Sequence, residues 1–251
     1  MKSKVLYNSP DHQWVVLGRD PSKKKSVIDT NEYLIISGEE VYMMDPGGTE
    51  IFPHVLGAVA EHINISQIKA FFASHQDPDI MSSLPLWLGL TPEAKIYMPW
   101  LWTGFVAHFG EEYTKNFVPV PDEGLSLTLG AGRHRIELIP AHYLHSSANF
   151  CLYDPQAKVL FTGDIGAAIL PEGYDSMFVE DFTAHTRHME LFHTRWMPSN
   201  QAKNDWIKRV RQLEIDLLCP QHGAIFRNEQ VGQFLDWFER LEVGTTRNFR
   251  H

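Results

Sequence analysis

The chain has 251 residues, a length that suits one large α/β domain, and 43% of them are hydrophobic, as in an ordinary globular protein. A formal net charge of −9 argues against nucleic acid or an anionic membrane as the main partner. No apolar stretch approaches the ~18 residues that span a bilayer, and no signal-peptide pattern opens the chain. We therefore expect a cytoplasmic protein. Cys151 and Cys219 lie in apolar runs, so we expect buried free thiols.

Strand-like and helical patterns alternate from the start of the chain, which predicts an α/β fold. In the first half, the patterns predict strands at residues 31–37, 40–44, 69–74 and 95–98. They predict helices at residues 51–63, 81–88 and 102–117. The charge run Lys23, Lys24 and Lys25 is expected to be a solvated loop rather than a binding patch.

The second half continues the alternation. The patterns predict strands at residues 125–129, 134–139, 150–154, 159–162 and 217–219. They predict helices at residues 202–213 and 231–241. The stretch 170–199 is polar and aromatic, and we expect it to be loop-like.

Six side chains that can bind metal follow the ends of predicted strands. They are His75, Asp77, Asp79, His145, Asp164 and His222. Strand ends in an α/β fold are rigid, and the loops that leave them can converge on one edge. Nitrogen and oxygen ligands without a thiolate favour iron, manganese or zinc over copper(I) or an iron–sulfur cluster. Three imidazoles and three carboxylates exceed the needs of one zinc and suit two iron-class ions.

These segments resemble the motifs of the metallo-β-lactamase fold. The run from His75 to Ile80 resembles the His-x-His-x-Asp-His motif of its hydrolases, with Asp77 in place of the second His. A carboxylate at that position is similar to the His-x-Glu-x-Asp motif of flavodiiron proteins. Three later segments also match: Leu144-His145, Leu160-Phe161-Thr162-Gly163-Asp164 and His222-Gly223. The resemblance covers about residues 25–245.

The resemblance implies an αββα sandwich, in which two mixed β-sheets are flanked by helices. It also implies that residues 1–251 form a single domain without a flavodoxin or rubredoxin domain. Iron 1 would be held by His75, Asp77 and His145, and iron 2 by Asp79 and His222, with Asp164 as the bridge. Ile80 stands where the family has a further His, so iron 2 would keep an open position. Asp77 is one methylene shorter than the family's Glu, which alters the geometry at iron 1.

Within this group, the chain is most similar to the oxygen-binding di-iron proteins of bacterial chemotaxis, which also lack the flavodoxin domain. The resemblance implies a non-haem di-iron protein that binds dioxygen as a peroxo adduct and serves as an oxygen or iron sensor. Two iron ions are the implied cofactors, ahead of zinc or manganese. The implied partners are dioxygen, a chemotaxis signalling protein or an external electron donor, and a second copy in a homodimer.

Two enzymatic alternatives remain open. One is a dioxygen or nitric oxide reductase that receives electrons from a separate flavodoxin or rubredoxin. The other is a di-zinc hydrolase, in which two metals activate a hydroxide. Asp77 and Ile80 count against the hydrolase, because each replaces a histidine of the zinc enzymes.

Residues near the motifs carry weaker predictions. His142 could support a ligand as a hydrogen-bond partner, although a solvated or capping His is favoured. Tyr143 could line the oxygen pocket or be a packed aromatic. Asp45 could order a strand end beneath the metals or be a turn residue. His185 and His188, in the stretch that also contains His193, are expected on a solvated helix face.

A cluster of aromatic residues follows the predicted strand at residues 95–98. It consists of Trp100, Trp102 and Phe105. Such a cluster could shield the site or face a dimer partner, but packing in the core is the favoured interpretation.

Overall fold

The first sheet consists of seven strands, which lie side by side in chain order. The computed structural model describes residues 1–19 and 28–245. The strands are β1 (Lys2–Ser9), β2 (His12–Gly18), β3 (Glu32–Ser37), β4 (Glu40–Met44), β5 (Ile68–Phe72), β6 (Lys95–Pro99) and β7 (Phe117–Val120). Neighbours from β1 to β4 pair antiparallel, and neighbours from β4 to β7 pair parallel, so the sheet is mixed.

The second sheet has six strands in the order β13-β12-β11-β10-β9-β8. They are β8 (Leu125–Leu129), β9 (His134–Pro140), β10 (Phe150–Asp154), β11 (Val159–Gly163), β12 (Leu217–Pro220) and β13 (Phe226–Arg227). Only the β11–β12 pair is parallel among these neighbours. Both sheets are therefore mixed, as the resemblance implied.

Helices cover the outer face of each sheet. The described α-helices are α1 (Phe52–Ala60), α2 (Pro78–Met81), α3 (Leu84–Leu90), α4 (Thr103–Val106), α5 (Phe182–Trp196), α6 (Asn200–Val210) and α7 (Glu229–Arg240). Buried residues of α1, α2 and α3 pack on the first sheet, and those of α5, α6 and α7 pack on the second. A third apolar cluster fills the space between the sheets. The predicted αββα sandwich is confirmed.

Strand β2 shows how the sequence builds this layered core. Trp14 and Val16 belong to the cluster between the sheets, whereas Val15 and Leu17 belong to the cluster beneath the helices. Successive side chains of a strand point to opposite faces, and a sheet between two layers needs apolar residues on both. Burying one such side chain contributes about 1.5–3 kcal/mol, so this strand stabilises both interfaces.

The predicted helix at residues 102–117 is wrong. Short turns replace it: helix α4, the 3₁₀ turns Ala107–Phe109 and Glu111–Asn116, and then strand β7. Gly110 separates the turns with a φ of 152°, a conformation that L side chains rarely adopt. The aromatic cluster is also less buried than expected, because Trp100 is 48% exposed and Phe105 is 67% exposed.

The stretch 170–199 is not loop-like throughout, because it contains helix α5. Asp181 caps this helix by accepting a hydrogen bond from the Ala184 amide at 3.0 Å. The buried face consists of His185, Met189, Phe192 and His193, a helical spacing. Two of these four residues are histidines, which a count of apolar residues misses.

The structure also bears on the predictions for the N-terminal strands, the cysteines and the charge run. Strands β1 and β2 were not predicted, whereas the hairpin of β3 and β4 is confirmed. Cys151 and Cys219 are free and buried, as expected. The Lys23–Lys25 run lies outside the described residues. Among the helices that are described, none has both the length and the apolar character that a membrane crossing requires.

Candidate metal centre

The six predicted ligands converge on one end of the sandwich, five from loops that leave strands and Asp79 from the first turn of α2. His75, Asp77 and Asp79 follow β5, and Asp77 is the residue at which α2 begins. The His145 loop connects β9 to β10. Asp164 comes directly after β11, and His222 comes two residues after β12. Neighbouring strand ends thus bring together residues that lie far apart in the sequence.

Four of the six residues form a tight group. The ligand atoms of His75, Asp77, His145 and Asp164 all lie within 4.8 Å of one another. His145 Nε2 lies 2.8 Å from Asp164 Oδ2, 3.3 Å from Asp77 Oδ2 and 3.2 Å from His75 Nε2. Donors bonded to one metal at about 2.0–2.1 Å lie roughly 3.0–3.4 Å apart. The spacing therefore fits a single cation among these four side chains.

The remaining two residues form a second group on the other side of Asp164. His222 Nε2 lies 3.2 Å from Asp79 Oδ2 and 3.3 Å from Asp164 Oδ1. Asp164 thus directs Oδ2 to the first group and Oδ1 to the second. Oδ1 is buried and accepts no well-aligned hydrogen bond among the described residues. A buried carboxylate oxygen in this state fits a metal ligand.

Hydrogen bonds fix the orientation of His75. Ser74 Oγ donates to Asp45 Oδ2 at 2.6 Å, and the Ser74 amide donates to Asp45 Oδ1 at 2.8 Å. The hydroxyl hydrogen is thereby used, so Ser74 Oγ accepts from His75 Nδ1 at 2.9 Å. This tautomer leaves the Nε2 lone pair free for a metal. Asp45 therefore orders the strand ends beneath the site.

Similar contacts hold other ligands. His222 Nδ1 donates to the Asp29 carbonyl at 2.8 Å, which again leaves Nε2 for a metal. Gln76 Nε2 donates to Asp77 Oδ1 at 2.9 Å, so that Oδ2 faces the histidines. Ser146 Oγ donates to Gln76 Oε1 at 2.6 Å and links the His75 loop to the His145 loop.

The charges of the site favour cations. Burial alone would lower the pKa of His75, but the Asp164 and Asp77 carboxylates outweigh it and raise this pKa to about 10. The pKa of His222 is likewise raised well above its usual value, against the effect of burial, by Asp164 and Asp79. Burial would raise the pKa of Asp164, yet the histidines hold it well below its usual value. Buried carboxylates need positive charge nearby, and a metal supplies it while releasing the histidine protons.

The position that the resemblance assigns to a further histidine is apolar. Ile80 is fully buried and belongs to the apolar cluster between the first sheet and its helices. Its side chain has no donor atom, so it cannot ligate a metal. Among the six predicted ligands, the second group therefore has Asp79, His222 and Oδ1 of Asp164. The residues present fit a two-metal centre with unequal halves.

The predicted supporting residues lie at the edge of this arrangement. His142 Nε2 lies 2.9 Å from the Asp122 carbonyl, and His142 Nδ1 accepts a bond from the Asn149 amide at 3.3 Å. Tyr143 is 51% exposed and has a positive φ of 64°. Their roles in support of a ligand stay predictions.

The histidines of α5 are placed differently from the prediction. His185 is 2% exposed rather than solvated, whereas His188 is partly buried. His193 is fully buried, and its Nε2 accepts a hydrogen bond from the Gly166 amide at 2.9 Å. Helix α5 is thus attached to the loop that follows Asp164.

Phe192, also on α5, was missed by sequence reasoning. Its ring centroid lies 6.2 Å from those of His145 and His222, which belong to different groups of the site. A helical assignment of residues 182–196 would have placed Phe192 on the same face as Met189 and revealed this neighbourhood.

Comparisons with known proteins agree with this geometry. The model for "ODP family beta lactamase" matches residues 28–223. The structure described as "Peroxy diiron species of chemotaxis sensor ODP" is 40% identical, covers 98% of this chain and 97% of its own, and has a TM-score of 0.87. The apo state of chemotaxis sensor ODP from T. denticola is also 40% identical, with a TM-score of 0.87 and coverage of 97% and 96%.

More distant matches include a solved structure with the same fold and a sequence relative. A flavoprotein from Thermotoga maritima is 16% identical with a TM-score of 0.79, over 94% of this chain and 60% of that one. An uncharacterized protein of Methanocaldococcus jannaschii is 28% identical over 48% of this chain and 30% of its own length. The chain spans about a third of the length of the curated relatives it matches. Because the family model matches residues 28–223 of the 251, the chain belongs to the ODP family of β-lactamase-fold proteins.

Proposed function

We propose that this protein holds two iron ions at the six-residue centre and binds dioxygen there as an oxygen sensor. The observation that carries the proposal is the orientation of Asp164, whose two carboxylate oxygens face different histidine groups. A carboxylate placed in this way can bridge two metals at the roughly 3.5–4 Å separation of two-metal sites. The 40% identity to the chemotaxis sensor ODP over nearly the whole chain supports the sensor assignment.

The donor set supports iron over zinc. The site offers three imidazoles and three carboxylates, and both cysteines of the chain are buried elsewhere in strands β10 and β12. Carboxylate-rich sites suit hard, higher-valent metals, whereas the zinc hydrolases that the motifs resemble have histidines at the positions of Asp77 and Ile80. Two ferrous ions held by these residues would supply a binding position for dioxygen and the electrons for its reduction.

The residues of the chain have separate tasks in this proposal. His75 and His222 present Nε2 because their Nδ1 atoms are held by Ser74 and Asp29. Asp79 and Asp77 neutralise charge on the two sides of Asp164. The apolar Ile80 leaves the half of the site formed by Asp79 and His222 short of one ligand, which gives a small ligand room to bind. We further propose that a signalling protein of the chemotaxis class reads the state of the site.

The test is metal analysis combined with an anaerobic oxygen titration on one sample. We expect two iron ions per chain, and a visible absorption band that forms on exposure to air and persists. Asp164→Ala should lower the iron content and abolish the band, whereas Asp205→Asn, an exposed aspartate on α6, should change neither. Two zinc ions per chain in protein grown with ample iron would contradict the proposal and favour the hydrolase. Sustained consumption of dioxygen or nitric oxide with a reductase would favour the reductase.

A further inference from the structure

An aromatic residue of helix α5, Phe192, lies beside two ligand rings of the candidate metal centre. The Phe192 ring stands at 90° to the ring of His145 and at 51° to that of His222, with both centroids 6.2 Å away. These histidines belong to the two groups that share Asp164. Phe192 is only 5% exposed, so its ring is packed against neighbouring side chains rather than in solvent.

Trp196 forms a second layer outside Phe192. The two rings stack at a centroid distance of 5.2 Å and an interplanar angle of 3°. The residues are four positions apart on the helix, so they lie on the same face. Trp196 is 48% exposed, and the pair therefore extends from the protein surface to the ligand rings.

The helix that carries this pair is held at several points. Asp181 caps its first turn, and the Ile169 amide donates to the His188 carbonyl at 3.0 Å. His193, next to Phe192, accepts the hydrogen bond of the Gly166 amide at 2.9 Å. Since Gly166 is two residues from Asp164, the stack and the shared carboxylate are fixed relative to each other.

A phenyl ring in this position has two physical effects. It offers neither a strong hydrogen-bond donor nor an acceptor, so it displaces water from the side of the imidazoles that it covers. It also restricts the rotation of both imidazole rings by contact. The apolar surroundings of a metal site control solvent access and local dielectric, and both affect how long a ligand remains bound.

We propose that the stack of Phe192 and Trp196 is a cover that positions His145 and His222 and restricts the access of water and bulky polar ligands to the metals. A small apolar diatomic molecule passes such a cover more readily than a hydrated anion or a chelator does. This inference rests on the proposed two-metal function and adds the residues that control access to it.

The test uses full-length protein loaded with cobalt(II), and measures the rate at which EDTA removes the metal. Trp196→Ala should accelerate removal severalfold, because the apolar shell around a metal site controls the access of solvent and chelator. Trp196→Phe preserves the stack and should restore a rate close to that of the wild type. Leu191→Ala removes an exposed side chain from the same helix and should leave the rate unchanged.

A second readout separates positioning from general stability. Phe192→Leu keeps an apolar side chain but removes the ring, so it should shift the visible spectrum of bound cobalt as well as accelerate removal. The melting temperatures of the metal-free variants show whether the fold is intact. Wild-type removal rates in both Trp196→Ala and Phe192→Leu, with metal bound, would overturn this inference alone. A wild-type protein that takes up no metal would overturn the proposed function, and this inference with it.

Discussion

Gly163 allows β11 to end directly against the His75 loop. Its φ is 55°, and a Cβ at this position would lie 2.9 Å from Ser74 Oγ and 3.1 Å from Ser74 Cβ. Ser74 holds His75, and Gly163 precedes Asp164, so the two ligand loops meet where no side chain fits. A single missing methyl group therefore permits the close approach of two ligand loops.

Gly163→Ala should consequently lower the free energy of unfolding and weaken metal binding. The positive φ alone costs roughly 1–2 kcal/mol for a residue with a Cβ, and the contact with Ser74 adds to this cost. Chemical denaturation and metal titration measure the two effects. Gly57→Ala is the matched control, because that helical glycine has open space around it. It should be neutral or stabilise the protein by up to about 1 kcal/mol, and equal effects of both variants would contradict our account.

At the scale of elements, α5 is attached to the site through a buried histidine. His193 Nδ1 donates to the Met189 carbonyl at 2.9 Å, and Nε2 accepts from the Gly166 amide at 2.9 Å. Burial lowers the pKa of His193 to about 4, so the ring is neutral at pH 7 and can accept at Nε2. The helix and the loop after Asp164 are thus joined by one specific tautomer.

His193→Ala should destabilise the protein by about 2–4 kcal/mol, because it leaves the buried Gly166 amide without an acceptor and creates a cavity. Denaturant unfolding measures the loss, and hydrogen exchange should show faster opening of the Gly166 amide. Leu191→Ala on the exposed face of α5 should remain within about 0.5 kcal/mol of the wild type. A comparable loss in both variants would show that the buried hydrogen bonds contribute little.

The pH dependence of the same variant gives a further check. The folded pKa of His193, about 4, lies below the ordinary histidine value of 6.5. Between these values the unfolded chain binds the proton and the folded protein does not, so stability falls as the pH drops from 6.5 towards 4. His193 contributes a slope of at most about 1.4 kcal/mol per pH unit there, which His193→Ala should remove. Parallel stability curves for wild type and variant would contradict this.

At the scale of the whole molecule, the candidate ligands connect the two sheets. His75 follows a strand of the first sheet, whereas Asp164 and His222 follow strands of the second. Metal bound here would stabilise the folded state only, because the unfolded chain does not bring these residues together.

Removal of metal by a chelator should therefore lower the melting temperature of the whole protein. The stabilisation should grow with the logarithm of free metal, and each bound ion should contribute about 2.7 kcal/mol at a hundred times its Kd. Calorimetry at several free metal concentrations measures the relation. In Asp164→Ala the dependence of the melting temperature on metal concentration should weaken strongly. A wild-type melting temperature that does not change with metal concentration would contradict a centre that connects the two sheets.

The motif resemblance implied the sandwich, and the strand-like runs followed by His or Asp predicted that the six ligand candidates lie together, because both signals are local in the sequence. The predictions failed for segments whose secondary structure depends on packing against residues far away in the sequence. Gly110 interrupts the predicted helix at residues 102–117. In α5, two of the buried positions are histidines, so the apolar spacing of an amphipathic helix is incomplete in the sequence. The contact of Phe192 with two ligand rings could not be predicted without that helix. Likewise, the hydrogen bond between Ser74 and Asp45 joins loops 29 positions apart in the sequence.

Asp164 presents one oxygen to each group of histidines, and this makes the two halves of the site a single thermodynamic unit. A cation in either half would bind one oxygen of the shared carboxylate, and so would change the affinity of the other half for a cation. Reciprocity requires the effect to be equal in both directions. The two halves of the site are therefore not independent, and a substitution in one half should change the metal affinity of the other.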